Sequence, residues 1–248
     1  MKMDFHTHAN LTKNVDFKVE EFIDKINEAR ESGLDAIALT EHFNTKNFKD
    51  IYKQLHAHFP YKGDYYDVDG FKVFTGIEID IKEVGHILLV GNRRDILKVY
   101  DVLIPHLPDD NHISFKKLLD VVSKLELLKI GAHPFRSKTP LHHIDFNLLK
   151  QLDALDLNAT DIYRQGITVR DEVEELAGNL DLPVIAGSDT HHHLQYGSVY
   201  NILFEEPSTV HEIKLMINAG SYEVKISPCL KEKVKAARLI KKVLKKQL

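Results

Sequence analysis

Fifteen histidines stand in this chain of 248 residues beside one cysteine and no tryptophan, so imidazole is its conspicuous chemical resource. Eight of them gather with carboxylates in six short groups. These are Asp4-Phe5-His6-Thr7-His8, Leu39-Thr40-Glu41-His42, Gly76-Ile77-Glu78-Ile79-Asp80, Gly85-His86, Ala132-His133-Pro134-Phe135-Arg136 and Gly187-Ser188-Asp189-Thr190-His191-His192-His193. Side chains two apart on a strand point the same way, so His6 and His8 can offer two imidazoles to one ion. Imidazole with carboxylate and without thiolate suits Zn, Mn or Fe, and a carboxylate can bridge two ions while histidines terminate each one. Taken singly, an HxH pair or a Glu at a strand end is most often a surface or satisfied core group. Their repetition along the chain is the signal.

The elements that must position these groups follow from the hydrophobic pattern. Short apolar runs alternate with longer segments of helical period, as in βαβ units around a parallel sheet. Strands are expected near 2–6, 35–40, 71–79, 128–132, 154–158, 183–188 and 222–226. His86 to Val90 reads as the hairpin partner of the third strand, and Val199 to Phe204 as one more strand, so the sheet is mixed. Val19, Phe22, Ile23, Ile26 and Ala29 give a helix an apolar stripe that Gly33 ends, and further helices fit 115–126, 168–179 and 209–218. Each cluster of His and acidic residues then falls at the same end of its strand, where the loops of an α/β barrel build an active site.

Composition narrows the function classes. The net charge is −4, charged residues are 28%, and no apolar run approaches the ~20 residues of a membrane-spanning helix, so a water-soluble globular protein is expected. No signal-peptide pattern opens the chain and Cys229 has no partner, which fits a reducing cytoplasm. Nothing marks a boundary before Pro228, so residues 1–227 read as one barrel and 228–248 as a basic amphipathic helix packed on it or extending from it. From Lys231 to Leu248 eight Lys or Arg and one Glu give +7, leaving −11 for residues 1–230. Ser227 is expected to cap that helix with Pro228 in its first turn, and Ala236, Leu239, Ile240, Val243 and Leu244 to form its apolar face.

The motifs HTH at 6–8, TEH at 40–42, GIEI at 76–79, GH at 85–86, AHPF at 132–135 and GSDTH at 187–191 stand in the order of the PHP family, the polymerase and histidinol phosphatase domain, which the chain resembles to about residue 226. The resemblance implies a distorted seven-stranded (β/α) barrel with two or three divalent metal ions at its C-terminal mouth. It implies that His6, His8, Glu78 and Asp189 hold a first ion, and that Glu78, as a bridge, holds a second with His86 and His133. His42 and His191 would belong to a third site. The chain departs from the family where another ligand of that third site is usual, reading Asn10-Leu11-Thr12-Lys13-Asn14-Val15-Asp16. Either Asp16 reaches the third ion, or the Lys13 ammonium replaces part of its charge and leaves a two-metal site; the second is preferred.

The expected activity is hydrolysis of a small phosphate monoester, such as histidinol phosphate or a nucleotide, by metal-bound hydroxide. Glu78 and Asp189 would hold the ions, and His191 or Lys13 would stabilise or protonate the departing alkoxide. Arg136 and Arg164 are candidate phosphate-binding residues, and Asp80, His192 and His193 candidates to orient an imidazole. Hydrolysis of short nucleic acid is the alternative within the class, with the basic terminal helix its only positive feature. A metal-binding interaction module without turnover and a C–N hydrolase are the alternatives outside it. The aromatics from Phe43 to Tyr66 would form either a lid or ordinary core.

Overall fold

A computed structural model describes residues 1–246; residues 247 and 248, the end of the expected terminal segment, lie outside the described residues. In chain order the elements are β1 (Lys2–Thr7), α1 (Val19–Glu31), β2 (Ala36–Leu39), α2 (Phe48–His58), β3 (Tyr61–Lys62), β4 (Tyr65–Val68), β5 (Phe71–Ile81), β6 (Gly85–Gly91), α3 (Arg93–Leu103), α4 (Phe115–Val122) and β7 (Leu127–Ala132). There follow α5 (Phe146–Leu149), β8 (Ala154–Asn158), α6 (Ala159–Gln165), α7 (Val169–Leu180), β9 (Val184–Gly187), β10 (Val199–Leu203), α8 (Val210–Asn218), β11 (Tyr222–Ile226) and α9 (Leu230–Leu244).

Seven strands, in the order β1-β2-β5-β6-β7-β8-β9, form a nearly closed, distorted barrel of the PHP type. Neighbours run parallel except on either side of β6, which is antiparallel to both β5 and β7. The seam closes at the upper end, where the Asp189 amide donates to the His6 carbonyl and the His8 amide to the Thr190 carbonyl, both at 2.8 Å. Lower down β1 turns away from β9 to pair with β10, which in turn pairs with β11. Buried Asn201 fills that gap: its amide accepts from the Ala186 N–H at 2.9 Å and donates to the carbonyls of Ala186 and Met3 at 2.8 and 3.1 Å. A side-chain amide thus supplies the ladder bonds that a strand would have made.

The pleat sorts side chains into two apolar layers. Residues such as Phe5, Ala38, Phe74, Leu88, Ile130 and Ile185 pack with Val210, Ile213 and Ile217 of α8. The alternating positions, among them Ile37, Val73, Leu89 and Leu155, pack outward with the other helices. The aromatics after β2 resolve as core: Phe43, Phe48, Tyr65 and Tyr66 are buried, and α2 with the β3–β4 hairpin carries them. No described helix is long and apolar enough to cross a membrane.

The terminal helix differs from expectation. It begins at Leu230 with Cys229 at its cap, and the Ser227 hydroxyl accepts the Cys229 N–H outside the helix. The buried stripe is Leu230, Val234 and Ala237, whereas Leu239, Ile240 and Val243 are 55%, 39% and 55% exposed. Amphipathic period located the helix; it could not show which stripe faces the barrel, because that depends on where the helix docks.

Candidate metal centre

Bottom to top along the barrel, the inward positions change from apolar to ligating. The β1–β2 register shifts between Asp4 and Thr7, a bulge that brings His6 and His8 to the barrel mouth above Met3 and Phe5 of the inner apolar layer. β5 adds Glu78 and Asp80, β6 adds His86 at its beginning because it runs the other way, and the turns after β2, β7 and β9 add His42, His133, Asp189 and His191. Gly187 makes the approach possible: a Cβ there would stand 2.4 Å from the His6 Cβ and 2.6 Å from an Asp156 carboxylate oxygen.

Three groups can each gather one ligand atom per residue within 4.8 Å: His6, His8 and Asp189; Glu78, His86 and His133; and His8, His42 and His191. Glu78 stands among all three. Its Oε1 lies 2.6 Å from His86 Nδ1, 3.5 Å from His6 Nε2 and 3.5 Å from His133 Nε2; its Oε2 lies 2.7 Å from His42 Nδ1 and 3.5 Å from His8 Nε2. Asp189 Oδ1 is 3.1 Å from His8 Nε2 and 3.7 Å from His6 Nε2.

Several of these atoms are buried without a hydrogen-bond partner, notably His6 Nε2, His8 Nδ1 and both His133 nitrogens. Buried polar atoms are ordinarily satisfied, and a convergent set of orphaned nitrogens and oxygens is what divalent cations complete. The donor set of imidazole and carboxylate fits Zn, Mn or Fe. Backbone conformation agrees, since Asp189 and His133 are non-glycine residues at φ +59° and +34°. Such conformations cost on the order of 1–3 kcal/mol each and persist where the surroundings impose them.

Electrostatics follow the packing. Burial pushes the Glu78 and Asp189 carboxyls up, but the imidazoles around Glu78 and the Arg136 guanidinium beside Asp189 hold both well below the carboxylate range. Burial lowers His6 and His8; Asp189 and Glu78 around His6, and Asp189 and Glu41 around His8, more than reverse it and leave both raised. His133 and His191 lie well below the ordinary imidazole range and His42 below it, chiefly through burial.

Around the ligand groups stand residues that sequence reading did not nominate. Asp156 Oδ2 lies 3.1 Å from His6 Nδ1, leaving Nε2 to face Glu78, and Asn158 donates to the same oxygen at 2.9 Å. The strand carrying them was legible, and polar residues at alternate positions of an otherwise apolar strand were the available signal. Glu41 accepts from the Asn10 and His42 amides and the Thr45 hydroxyl at 3.0, 3.1 and 2.8 Å, bracing two of the ligand loops. The Lys25 ammonium bridges the carbonyls of Ala9 and His191.

The remaining candidates divide. Asp16 is not brought to the centre: its carboxylate is 57% exposed and binds Lys46 and Asn47 at 2.8 and 3.0 Å, because the turn after His8 carries it outward. Lys13 Nζ lies 3.3 Å from Asp80 Oδ2, and Asp80 Oδ1 lies 3.0 Å from His86 Nε2, so Lys13 reaches the rim through Asp80. Arg136 donates to Asp189 at 2.7 Å, to Asp161 at 3.0 Å and to Asn158 at 2.8 Å, which turns it toward fixing Asp189. Arg164 is exposed and lines a cavity of about 500 Å³ with Asp189, His191 and α9. His192 accepts from the Leu194 amide at 3.4 Å as the cap of a short turn, and neither it nor His193 belongs to the three groups.

Comparison with known proteins agrees with the fold and the motifs. No curated protein matches the chain. Among solved structures, PsfC from Pseudomonas syringae PB-5123 is similar with a TM-score of 0.79 at 16% identity, covering 98% of each chain. The lesion-specific endonuclease PfuEndoQ from Pyrococcus furiosus is similar with a TM-score of 0.64 at 18% identity over 90% of this chain, which spans only 57% of that one. At such identities the likeness is one of fold. The PHP domain model matches residues 4–191, three quarters of the sequence and every one of the His- and carboxylate-bearing motifs, so the chain belongs to the PHP domain family.

Proposed function

We propose that the chain hydrolyses a small phosphate monoester, and that the three groups around Glu78 are its metal ligands. In this reading His6, His8, Glu78 and Asp189 hold one ion; Glu78, His86 and His133 hold a second; and His8, His42 and His191 stand where a third would sit. The carrying observation is the pair of Glu78 oxygens, buried and within 3.5 Å of imidazole nitrogens from His6, His8, His42, His86 and His133. Divalent ions bound there supply Lewis acidity toward phosphoryl oxygens and lower the pKa of water enough to make a nucleophile at neutral pH. No side-chain nucleophile is then required.

The chain's own groups have separable tasks. Glu78 sets the spacing of the two ligand sets. Asp156 fixes the ring of His6, and Arg136 fixes Asp189. Lys13, held on Asp80, is the group placed to stabilise or protonate the leaving alkoxide, and His191, at the cavity wall and neutral, can offer it only a hydrogen bond. Asp16 has no part in this arrangement, and the charge of Lys13 reaches His42 of the third group, which favours two tightly held ions. Residues 1–227 act as the barrel, and the segment from 228 forms one wall of the cavity.

The test is metal analysis of protein purified without chelator, followed by assays of phosphate monoesters, diesters and amides with Mn, Zn and Fe. Monoester turnover that falls together with metal content in Glu78→Gln is expected. Turnover unchanged in that variant, or amides hydrolysed in preference to phosphate esters, overturns the reading. Cleavage of short nucleic acid is the second reading, favoured by the lysines of α9 at the cavity; steep salt dependence of single-strand binding would mark it.

A further inference from the structure

We propose that the substrate carries a second phosphate group, seated on a cationic wall that α9 and Arg164 build beside the metal centre. The inference rests on the phosphoesterase reading for the nature of the ligand and goes beyond it in naming a bisphosphorylated small molecule. The cavity next to Asp189 and His191 measures about 500 Å³, a volume suited to a nucleotide-sized molecule. Its wall carries Arg164, Arg238, Lys241, Lys242, Lys245 and Lys246. None of the six forms an ion pair with a carboxylate among the described residues, whereas Lys46, Lys62 and Lys98 elsewhere on the surface each find an Asp within 2.9 Å. The one carboxylate of the cavity, Asp189, is already bound by Arg136.

The way α9 docks gives independent support. Its buried stripe, Leu230, Val234 and Ala237, continues at helical spacing to Lys241 and Lys245, both of which line the cavity. Leu239, Ile240 and Val243 were available to extend an apolar contact and instead face water. The helix therefore gives up apolar burial to aim ammonium groups at the cavity. The ester phosphate under attack belongs at the metal ligands, and six cations beyond them, free of carboxylates although Arg238 lies over the Tyr163 ring, exceed what one phosphate can use. A second phosphate dianion, gripped by ammonium and guanidinium groups, is the complement that fits. A long polyanion fits less well, because residues 1–230 without Arg164 carry −12 outside this wall.

Equilibrium binding to the full-length protein, stripped of metal so that nothing is turned over, tests the wall directly. The probes are adenosine 3′,5′-bisphosphate, adenosine 5′-monophosphate and thymidine oligonucleotides of increasing length. The bisphosphate is expected to bind about tenfold more tightly than the monophosphate, and Lys242→Gln with Lys245→Gln to remove that preference. Lys231→Gln with Lys235→Gln, the same charge change at exposed residues outside the cavity, should retain it. Equal affinity for the two nucleotides, equal losses in the two double variants, or affinity climbing steadily with oligonucleotide length would each overturn the proposal. A protein that shows the preference yet hydrolyses no phosphate ester when metal-loaded would keep this site and lose the phosphoesterase reading.

Discussion

Toward the lower end of the barrel the inward positions are Ala36, Ala38, Phe74, Leu88, Ile130, Ala154 and Ile185; further up the same faces stand His42, Glu78, His86, His133, Asp156 and Asp189. The lower set meets α8 in a dry layer in which every group is satisfied by contact alone. The upper set is buried or half-buried and holds carboxylates, imidazoles, two left-handed backbone residues and several orphaned polar atoms. One layer stores stability and the other spends it. Both hang on the same strands, so a rigid floor a few residues away holds the ligands near one another despite their mutual desolvation.

The contrast can be broken most severely from below. Phe74 is fully buried, and Phe74→Ala should cost about 3–5 kcal/mol of stability, read by denaturant unfolding, while the folded fraction still binds metal. Loss of metal binding by protein that remains folded would mean that the two layers are not separable. At the mouth, Glu78→Gln should lower monoester turnover by more than about a hundredfold, beyond the effect of an outer partner, with little change in the circular dichroism of the metal-free protein. Asp156→Asn sharpens the comparison, since it leaves all the ligands in place and alters only what orients His6. Metal affinity about 10- to 100-fold weaker is expected by competition titration, and wild-type affinity would remove Asp156 from the centre.

The smallest effect concerns protons. His6 and His8 are raised above the ordinary imidazole value in the metal-free protein because their carboxylate neighbours outweigh burial, which favours a proton that a metal must displace. His42, His133 and His191 lie below that range and have none to give near neutrality. Metal uptake near pH 7 should release protons, and apparent affinity should rise with pH. Calorimetry in buffers of different ionisation heat measures this, and uptake with no proton release would contradict the arrangement around His6 and His8.

Sequence made the clustered residues legible before their geometry was known, because strand ends are marked by the change from apolar alternation to His, Asp and Glu. The antiparallel place of β6 was readable too, from the short gap between Ile81 and Gly85. What escaped was whatever depends on a partner distant in the chain. Asp156 acquires its role only when β8 lies across from β1, and Arg136 turns from a phosphate-binding candidate into a clamp only when Asp189 arrives beside it. The apolar face assigned to the terminal helix failed for the same reason, as period does not say which stripe a docking surface will select. Asp16 was proposed from proximity in sequence to His8, and a turn of a few residues is enough to carry a side chain to the opposite side of a loop.

The seam of the barrel gives the centre a history as well as a shape. Glu78 and His86 stand on the two strands of one hairpin, eight residues apart, whereas Asp189 meets His6 and His8 only where β9 returns to β1. A chain lengthening from its N-terminus would hold six of the eight clustered residues once residue 133 had been added, and would lack Asp189 and His191 until the last strand of the cylinder came home. The group of His6, His8 and Asp189 thus forms only when the cylinder shuts, and an ion held there would also tie the seam.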